Sequence, residues 1–289
     1  MVDASSDEKD TIFAAPPREI APGVWWITEC LAVPVSGVMT HVHTSPYVVK
    51  GSEKALIWDT ANPSQWTRVD KSLDDILGDR PIDYIIPSHP EVAHFGNTLQ
   101  LLKKYPNAQI VGDVRDYGVY FPDHVDRLLR KAPGEALDLG SHRFVFVEGL
   151  IKDLVNTQWG FETTTRTMFV ADSFAYSHQA PIDDDDRPTH LEGECALLAS
   201  ELGKPPAEEQ VVWITKAALY WTHFVPLDLF LNRFQEILKQ HPPTLVAPAH
   251  GAVIDDIDEV LWLIWNALKK SYDPLQGVAR ASLSTRDRD

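Results

Sequence analysis

The chain has 289 residues, of which 44% are apolar, and its formal net charge is −16. This length and apolar content can bury a sizeable core in one large domain or two small ones. The negative charge argues against nucleic acid and anionic membrane surfaces as partners, because both bind basic faces. The only two cysteines, Cys30 and Cys195, exclude a disulfide framework, a zinc ribbon and an iron–sulfur cluster held by the thiolates of this chain alone.

The two ends of the sequence differ in composition from its middle. The first ten residues are polar and acidic and lack the apolar core of a signal peptide. No run of about 18 apolar residues is present that could span a membrane, so we expect a soluble, cytoplasmic protein. Composition predicts a disordered lead over residues 1–18, one folded domain over 19–270 and a flexible tail over 271–289.

Strands come first along the folded region, in runs of β-branched and aromatic residues bounded by turn residues. The strands predicted in the first half are residues 23–28, 45–50, 54–59, 82–87 and 109–112. Apolar residues at helical spacing predict a helix over 64–77, with Ser64 as its cap, and another helix over 96–105.

The second half repeats the alternation of strands and helices. Its predicted strands are residues 142–148, 166–170 and 244–248, and its predicted helices are 227–240 and 257–270. Residues 180–210, which include four consecutive aspartates, show no periodicity and are interpreted as an inserted loop. Strands and helices that alternate in two successive halves predict an α/β fold built as a layered αβ/βα sandwich.

Polar side chains follow four of the predicted strands. The motif His89-x-Glu91-x-x-His94 follows residues 82–87, and the others are Asp153, Asp172 and His250. Any one of them could be a turn former, a helix cap or a surface histidine. Four such strand ends in one chain instead favour a metal site on the loops at one edge of a rigid scaffold.

The order of these motifs resembles that of the metallo-β-lactamase superfold, over residues 20–268. Within the superfold it is most similar to the lactamase-like domain of flavodiiron proteins and to oxygen-binding diiron proteins. Three features indicate this branch. The first is Glu91, where hydrolases such as glyoxalase II carry a histidine. The other two are Leu137–Gly140 with the strand after it, and the stretch from Leu219–Trp221 to Ala247–Gly251. The resemblance implies a four-layer αβ/βα sandwich over residues 19–270.

The resemblance also implies two metal positions that share one carboxylate. One metal would be bound by His89, Glu91, Asp153 and Asp172, and the other by His94, Asp172 and His250. Two residues depart from the family pattern. Asp153 stands where the family usually has a histidine, and Ala93 stands where it usually has an aspartate, so the second position loses a ligand.

This ligand set constrains the choice of metal. One nitrogen and three carboxylates at the first position suit iron or manganese better than zinc, which prefers nitrogen and sulfur. Two histidines and one carboxylate at the second position are typical of non-haem iron centres with open positions. We expect one or two iron ions, with manganese and zinc as alternatives, and the missing ligand at Ala93 leaves a single-metal site open.

Three residues are candidates for a catalytic role. They are His94, Asp172 and His178, of which His178 could act as an extra ligand or a proton donor, or be a surface histidine. Asp59, at the end of the predicted strand 54–59, matches a family position that steadies the metal loop.

Three functions remain open from the sequence. The first is an iron-dependent oxidoreductase acting on O₂, NO or an oxidisable organic substrate. The second is a metal-dependent hydrolase of an ester, thioester or lactone, in which a metal-bound hydroxide attacks a carbonyl. The third is a non-catalytic metal or gas sensor. The sequence has no Gly-rich flavin loop and no Cys-x-x-Cys, so the oxidoreductase would take electrons from its small-molecule substrate or from a donor protein in trans. The resemblance also suggests a homodimer.

Overall fold

The structure is a computed structural model that describes residues 11–35, 38–177 and 194–273. Within these ranges the chain forms fifteen strands and seven α-helices. The strands are β1 (Thr11–Ala14), β2 (Arg18–Ala21), β3 (Val24–Trp26), β4 (Glu29–Val35), β5 (Val38–Thr44), β6 (Tyr47–Lys50), β7 (Ala55–Trp58), β8 (Tyr84–Ile86), β9 (Gln109–Gly112), β10 (Leu128–Arg130), β11 (Ala136–Asp138), β12 (Arg143–Glu148), β13 (Gln158–Glu162), β14 (Thr167–Phe169) and β15 (Leu245–Ala247). The α-helices are α1 (Trp66–Leu77), α2 (Val92–Phe95), α3 (Thr98–Lys104), α4 (Tyr117–Tyr120), α5 (Glu208–Ala218), α6 (Leu231–Gln240) and α7 (Val260–Leu268).

The strands form two main sheets and one smaller sheet. The larger sheet has the order β10-β9-β8-β7-β6-β3-β2, and the second has the order β11-β12-β13-β14-β15. A three-stranded sheet has the order β1-β4-β5. The pairs β7–β8 and β14–β15 are parallel. The loops after the strands of each parallel pair therefore leave from the same edge of their sheet.

Side-chain alternation along β7 shows how the layers are arranged. Leu56 and Trp58 belong to a core that also contains side chains of the second sheet and of α6 and α7. Ala55 and Ile57 belong to a second core that contains side chains of α1 and α3. Because successive side chains of a strand point to opposite faces, the larger sheet is covered on one face by helices and on the other by the second sheet. The predicted αβ/βα sandwich is confirmed.

Helix α1 is an example of local sequence specifying an element. Its buried residues Val69, Leu73, Ile76 and Leu77 recur at helical spacing and face the sheet. The helix ends at Gly78, which has φ of 60°, a left-handed conformation that glycine adopts without steric cost.

Two segments differ from the sequence-based expectation. Residues 11–14, part of the predicted disordered lead, form β1 and pair antiparallel with β4, because this Thr-Ile-Phe-Ala run meets an open strand edge. In the predicted loop 180–210, residues 194–210 contain two short 3-10 helices, Glu194–Ala196 and Ala199–Leu202, and the first residues of α5. The rest of that loop (to residue 193), residues 1–10 of the lead and residues 274–289 of the tail lie outside the described residues.

No helix in the described part of the chain is both long enough and apolar enough to cross a membrane.

Phe144 tests the core between the two sheets. Its side chain is fully buried, and its ring contacts those of Trp58 and Phe169 at centroid distances of 5.6 and 5.7 Å. Phe144→Ala removes these contacts and leaves a cavity, so we expect the free energy of unfolding to fall by about 3–5 kcal/mol. Chemical denaturation measures this change. Tyr220→Ala, at an aromatic residue that is 65% exposed, should shift it by less than about 0.5 kcal/mol, and equal effects would contradict this account of the core.

Candidate metal centre

Loops at the carboxyl ends of strands from both sheets converge on one site. His89 follows β8, and His94 lies in the short helix α2 that begins after Glu91. Asp172 and His250 follow the parallel strands β14 and β15. Asp153 lies in the loop between β12 and β13. The structure thus gathers all six residues predicted as metal ligands, at the distances given below.

His89 lies at the centre of three carboxylates. Its Nε2 atom is 3.0 Å from Asp153 Oδ2, 3.3 Å from Glu91 Oε2 and 3.7 Å from Asp172 Oδ2. The His89 side chain is fully buried, whereas the side chain of Glu91 is 53% exposed. This part of the site is therefore a buried nitrogen faced by carboxylate oxygens, with one of them at the solvent side.

Asp172 joins this group to two further histidines. Its Oδ1 atom is 3.2 Å from His94 Nε2 and 3.3 Å from His250 Nε2. One carboxylate therefore faces all three imidazoles of the site, with its Oδ2 toward His89 and its Oδ1 toward the other two. Potential ligand atoms of His89, Glu91, His94 and Asp172 all lie within 4.8 Å of one another.

The far nitrogens of two site histidines are held by fixed partners. Asp59 Oδ2 lies 2.9 Å from His94 Nδ1, and Asp59 Oδ1 accepts a hydrogen bond from the backbone N–H of Ser88 at 2.7 Å. The backbone carbonyl of His43 lies 2.6 Å from His250 Nδ1. A carbonyl can only accept, so Nδ1 of His250 carries a proton, and this leaves Nε2 as the nitrogen that could bind a cation in the site.

Side chains that the sequence did not single out for this role position the Asp153 loop. The Thr157 hydroxyl donates to Asp153 Oδ1 at 2.5 Å. The Ser173 hydroxyl donates to the carbonyl of Ile151 at 2.7 Å, and Trp221 Nε1 donates to the carbonyl of Lys152. The contacts of Ser173 and Trp221 join residues that are 22 and 69 positions apart in the sequence, so no local motif could have revealed them.

Backbone strain surrounds the site. Asp59 (φ 59°), Ala61 (φ 61°), Ala171 (φ 52°) and Phe174 (φ 61°) adopt left-handed conformations that residues with a Cβ atom rarely adopt. The first two follow β7, and the last two flank Asp172. Such strain persists only where surrounding contacts fix the backbone, and it is common at functional sites.

Mutual electrostatics shift the pKa values of the buried groups. Burial by itself lowers the pKa of His94, but the carboxylates of Asp172 and Asp59 outweigh burial and hold it well above its usual value. Burial and His94 lower the pKa of His89, and Asp153, Glu91 and Asp172 reverse that effect and raise it. Burial would raise the pKa of Asp172, yet the neighbouring histidines hold it well below its usual range.

Buried polar atoms without hydrogen-bond partners show that these residues suit a metal ion. His94 Nε2 and both carboxylate oxygens of Asp172 are buried and lack a partner of acceptable hydrogen-bond geometry. Such groups are costly to bury unless something satisfies them. A cation between the imidazoles and carboxylates would use these lone pairs, and the oxygen-rich donor set is one that iron and manganese accept.

Two further sequence predictions concern the edge of the site. Ala93 lies half-buried next to His94 and offers no side-chain donor. His178, predicted as an extra ligand or proton donor, lies outside the described residues.

Several known proteins are similar to this chain. It is 24% identical over 267 residues to the coenzyme F420H(2) oxidase of Methanocaldococcus jannaschii, which covers 84% of this chain and 58% of that protein. Its fold is similar to that of rubredoxin oxygen:oxidoreductase from Desulfovibrio gigas, with a TM-score of 0.67 at 14% identity, over 88% of this chain and 61% of that one. A flavo di-iron protein variant from Thermotoga maritima gives a TM-score of 0.66 at 15% identity, over 90% of this chain and 61% of that one.

The chain thus spans about three fifths of the length of these relatives. The model of the metallo-beta-lactamase superfamily matches residues 39–212, which include five of the six converging residues and more than half of the chain. The chain belongs to the metallo-beta-lactamase superfamily.

Proposed function

We propose that this protein is a non-haem iron oxidoreductase with two metal positions joined by Asp172. The observation that carries the proposal is the position of the Asp172 carboxylate. It is buried, it lacks hydrogen-bond partners, and it faces three imidazoles. A carboxylate in this position is suited to bridge two cations.

The proposed ligands divide into two groups. His89, Glu91, Asp153 and Asp172 form the first, which is rich in oxygen. His94, His250 and Asp172 form the second, a two-histidine, one-carboxylate set typical of non-haem iron. When bound, iron at these positions would supply affinity for O₂ or NO and the ability to exchange electrons.

The protein side chains determine access and proton placement. Glu91 is the most exposed member of the site, so substrate would approach past it. His94, which touches Asp172 on one side and Asp59 on the other, keeps the carboxylate oriented and is a candidate catalytic residue together with Asp172. Ala93 leaves space beside His94 for a substrate atom or a water molecule.

The relatives support a substrate class. Their names describe an F420H(2) oxidase and a rubredoxin oxygen:oxidoreductase, so we infer reduction of O₂ or NO, or oxidation of a small organic substrate. Electrons would come from that substrate or from a donor protein in trans, and a homodimer is consistent with this role.

Metal content and turnover distinguish this proposal from hydrolysis. Purified protein reconstituted with Fe²⁺ under anaerobic conditions should bind about two ions per chain and consume O₂ or NO when given an artificial reductant. Protein loaded with Zn²⁺ should show no such consumption. Esterase or lactonase turnover by the zinc form, with an iron form that is inert to both gases, would support a hydrolase instead.

Replacing His94 tests the second metal position. His94→Ala removes a ligand and the contact to Asp172, so we expect loss of the second ion and at least a hundredfold lower oxidase activity. Metal analysis and an oxygen electrode measure the two effects. His124→Ala, in the 3-10 helix Pro122–Arg127, should retain full metal content and activity. A fully active His94→Ala protein would show that the second position is not used.

Replacing Asp59 tests the support behind His94. Asp59→Asn keeps an oxygen for the Ser88 N–H but removes the charge opposite His94 Nδ1, so metal affinity should fall about 10- to 100-fold. Asp83→Asn is a matched control, because Asp83 Oδ2 also accepts a backbone N–H, that of Ala55, but in a different part of the sheet. Competition with a coloured chelator measures both affinities, and equal affinities would contradict the assigned role of Asp59.

Metal binding should also release protons. The pKa of His94 is raised in the metal-free protein, so this imidazole is protonated at neutral pH, whereas a metal ligand must be neutral. Apparent affinity should therefore rise with pH until His94 is deprotonated before binding. Calorimetry in two buffers of different ionisation enthalpy measures the released protons. Identical heats in both buffers would contradict the prediction, and His94→Ala should release fewer protons.

A further inference from the structure

A second cluster of potential metal ligands lies apart from the carboxylate site. Sulfur atoms of Cys30 and Cys195 and a ring nitrogen of His43 all lie within 4.8 Å of one another. The three residues are at most 2% exposed. Cys30 and Cys195 are the only cysteines of the chain, so the fold brings every thiol it has to one histidine.

The fold builds this cluster from three separate segments. Cys30 in β4 and His43 in β5 are directly opposed partners in the antiparallel register, which places their Cβ atoms about 4.5–5.5 Å apart on one face of the sheet. Cys195 comes from the 3-10 helix Glu194–Ala196, more than 150 residues later. Pairing of β4 with β5 therefore presets two donors, and docking of the later segment supplies the third.

Neighbouring contacts fix the donors in place. The ring of His43 meets the buried ring of Trp26 edge-on at a centroid distance of 5.8 Å. Arg18 donates to the carbonyl of Ala196 at 2.7 Å and forms a two-point ion pair with Glu201 at 2.6 and 2.8 Å. These bonds hold Ala196, the residue after Cys195, against β2. The position of the Cys195 sulfur is therefore fixed by contacts with the sheet.

The chemistry of the cluster differs from that of the carboxylate site. Two thiolates and one imidazole are the soft donors that zinc prefers, and they discriminate against the hard cations that carboxylates bind. With Zn–S of ~2.3 Å and Zn–N of ~2.0 Å, tetrahedral binding places ligand atoms about 3.5 to 3.8 Å apart. The observed spacing is within 4.8 Å, so small side-chain movements would close the site.

We propose that Cys30, His43 and Cys195 form a separate metal site for a soft divalent cation, Zn²⁺, with three protein ligands and a fourth position filled by water or another group. The proposal does not depend on the oxidoreductase function, because it uses none of the same side chains. His43 nevertheless links the two sites, since its backbone carbonyl accepts the His250 Nδ1 hydrogen bond. Zinc would thus anchor the strand that orients His250.

Cobalt substitution tests this site with the full-length chain. Metal-stripped, reduced protein is titrated with Co²⁺, and sulfur-to-cobalt charge-transfer absorption is recorded in the near ultraviolet. The carboxylate site contains no sulfur, so this absorption reports only the proposed site. We expect its final intensity to correspond to one sulfur-bound Co²⁺ per chain, and we expect it to disappear when Zn²⁺ is added and to be accompanied by protection of both thiols from a thiol reagent.

Variants separate the two sites. Cys30→Ser and Cys195→Ser should each lose the charge-transfer absorption, whereas His94→Ala should retain it. The His124→Ala protein is the control for a histidine outside both sites. If a cysteine variant does not fold, X-ray absorption of the wild-type zinc protein decides the question, because two sulfur ligands must appear around zinc.

Two results would overturn the proposal. One is the lack of charge-transfer absorption in protein whose two thiols are shown to be reduced by titration in denaturant. The other is isolation of the protein with Cys30 and Cys195 joined in a disulfide that forms again after reduction even when Zn²⁺ is present.

Discussion

Burial of the Asp172 carboxylate is the constraint on which the rest of the site depends. Its two oxygens lie between His89, His94 and His250, yet neither has a partner of good hydrogen-bond geometry. A buried charge of this kind is tolerated only when other charges compensate it. The raised pKa of His94, to which Asp172 contributes more than Asp59, follows from this requirement, and so does the suitability of the cluster for a cation.

The sequence predicts the candidate metal ligands better than it predicts the strands and long-range contacts around them. The parallel pair β14–β15 brings Asp172 and His250 to one edge of the sheet. The sequence placed each residue after a predicted strand, and the family resemblance assigned both to one metal position. The β1 strand was missed because four residues carry little periodicity. The β4–β5 pair was missed as well, although it places Cys30 opposite His43. Cys195, the third member of this cluster, is more than 150 residues further along the chain. Composition alone could not reveal that it lies next to Cys30 and His43.

Two departures from the family pattern combine to move charge within the site. Asp153 adds a carboxylate next to His89, 3.0 Å from its Nε2, while Ala93 offers no ligand of its own beside His94. Under the proposed assignment the first metal position has three carboxylates, and the second has only the shared carboxylate of Asp172. Negative charge stabilises a more highly charged metal ion. The two positions should therefore differ in the oxidation state that each favours.

The left-handed backbone conformation of Ala171 lowers the stability of the folded chain but helps to fix the orientation of the Asp172 carboxylate. A residue with a Cβ atom costs about 1 kcal/mol more than glycine in this conformation, so glycine there would make the folded chain more resistant to heat. The same replacement would give the backbone before Asp172 more freedom, and the carboxylate would spend less time facing its three imidazoles. Alanine at this position therefore gives up some resistance to heat for a more firmly held carboxylate.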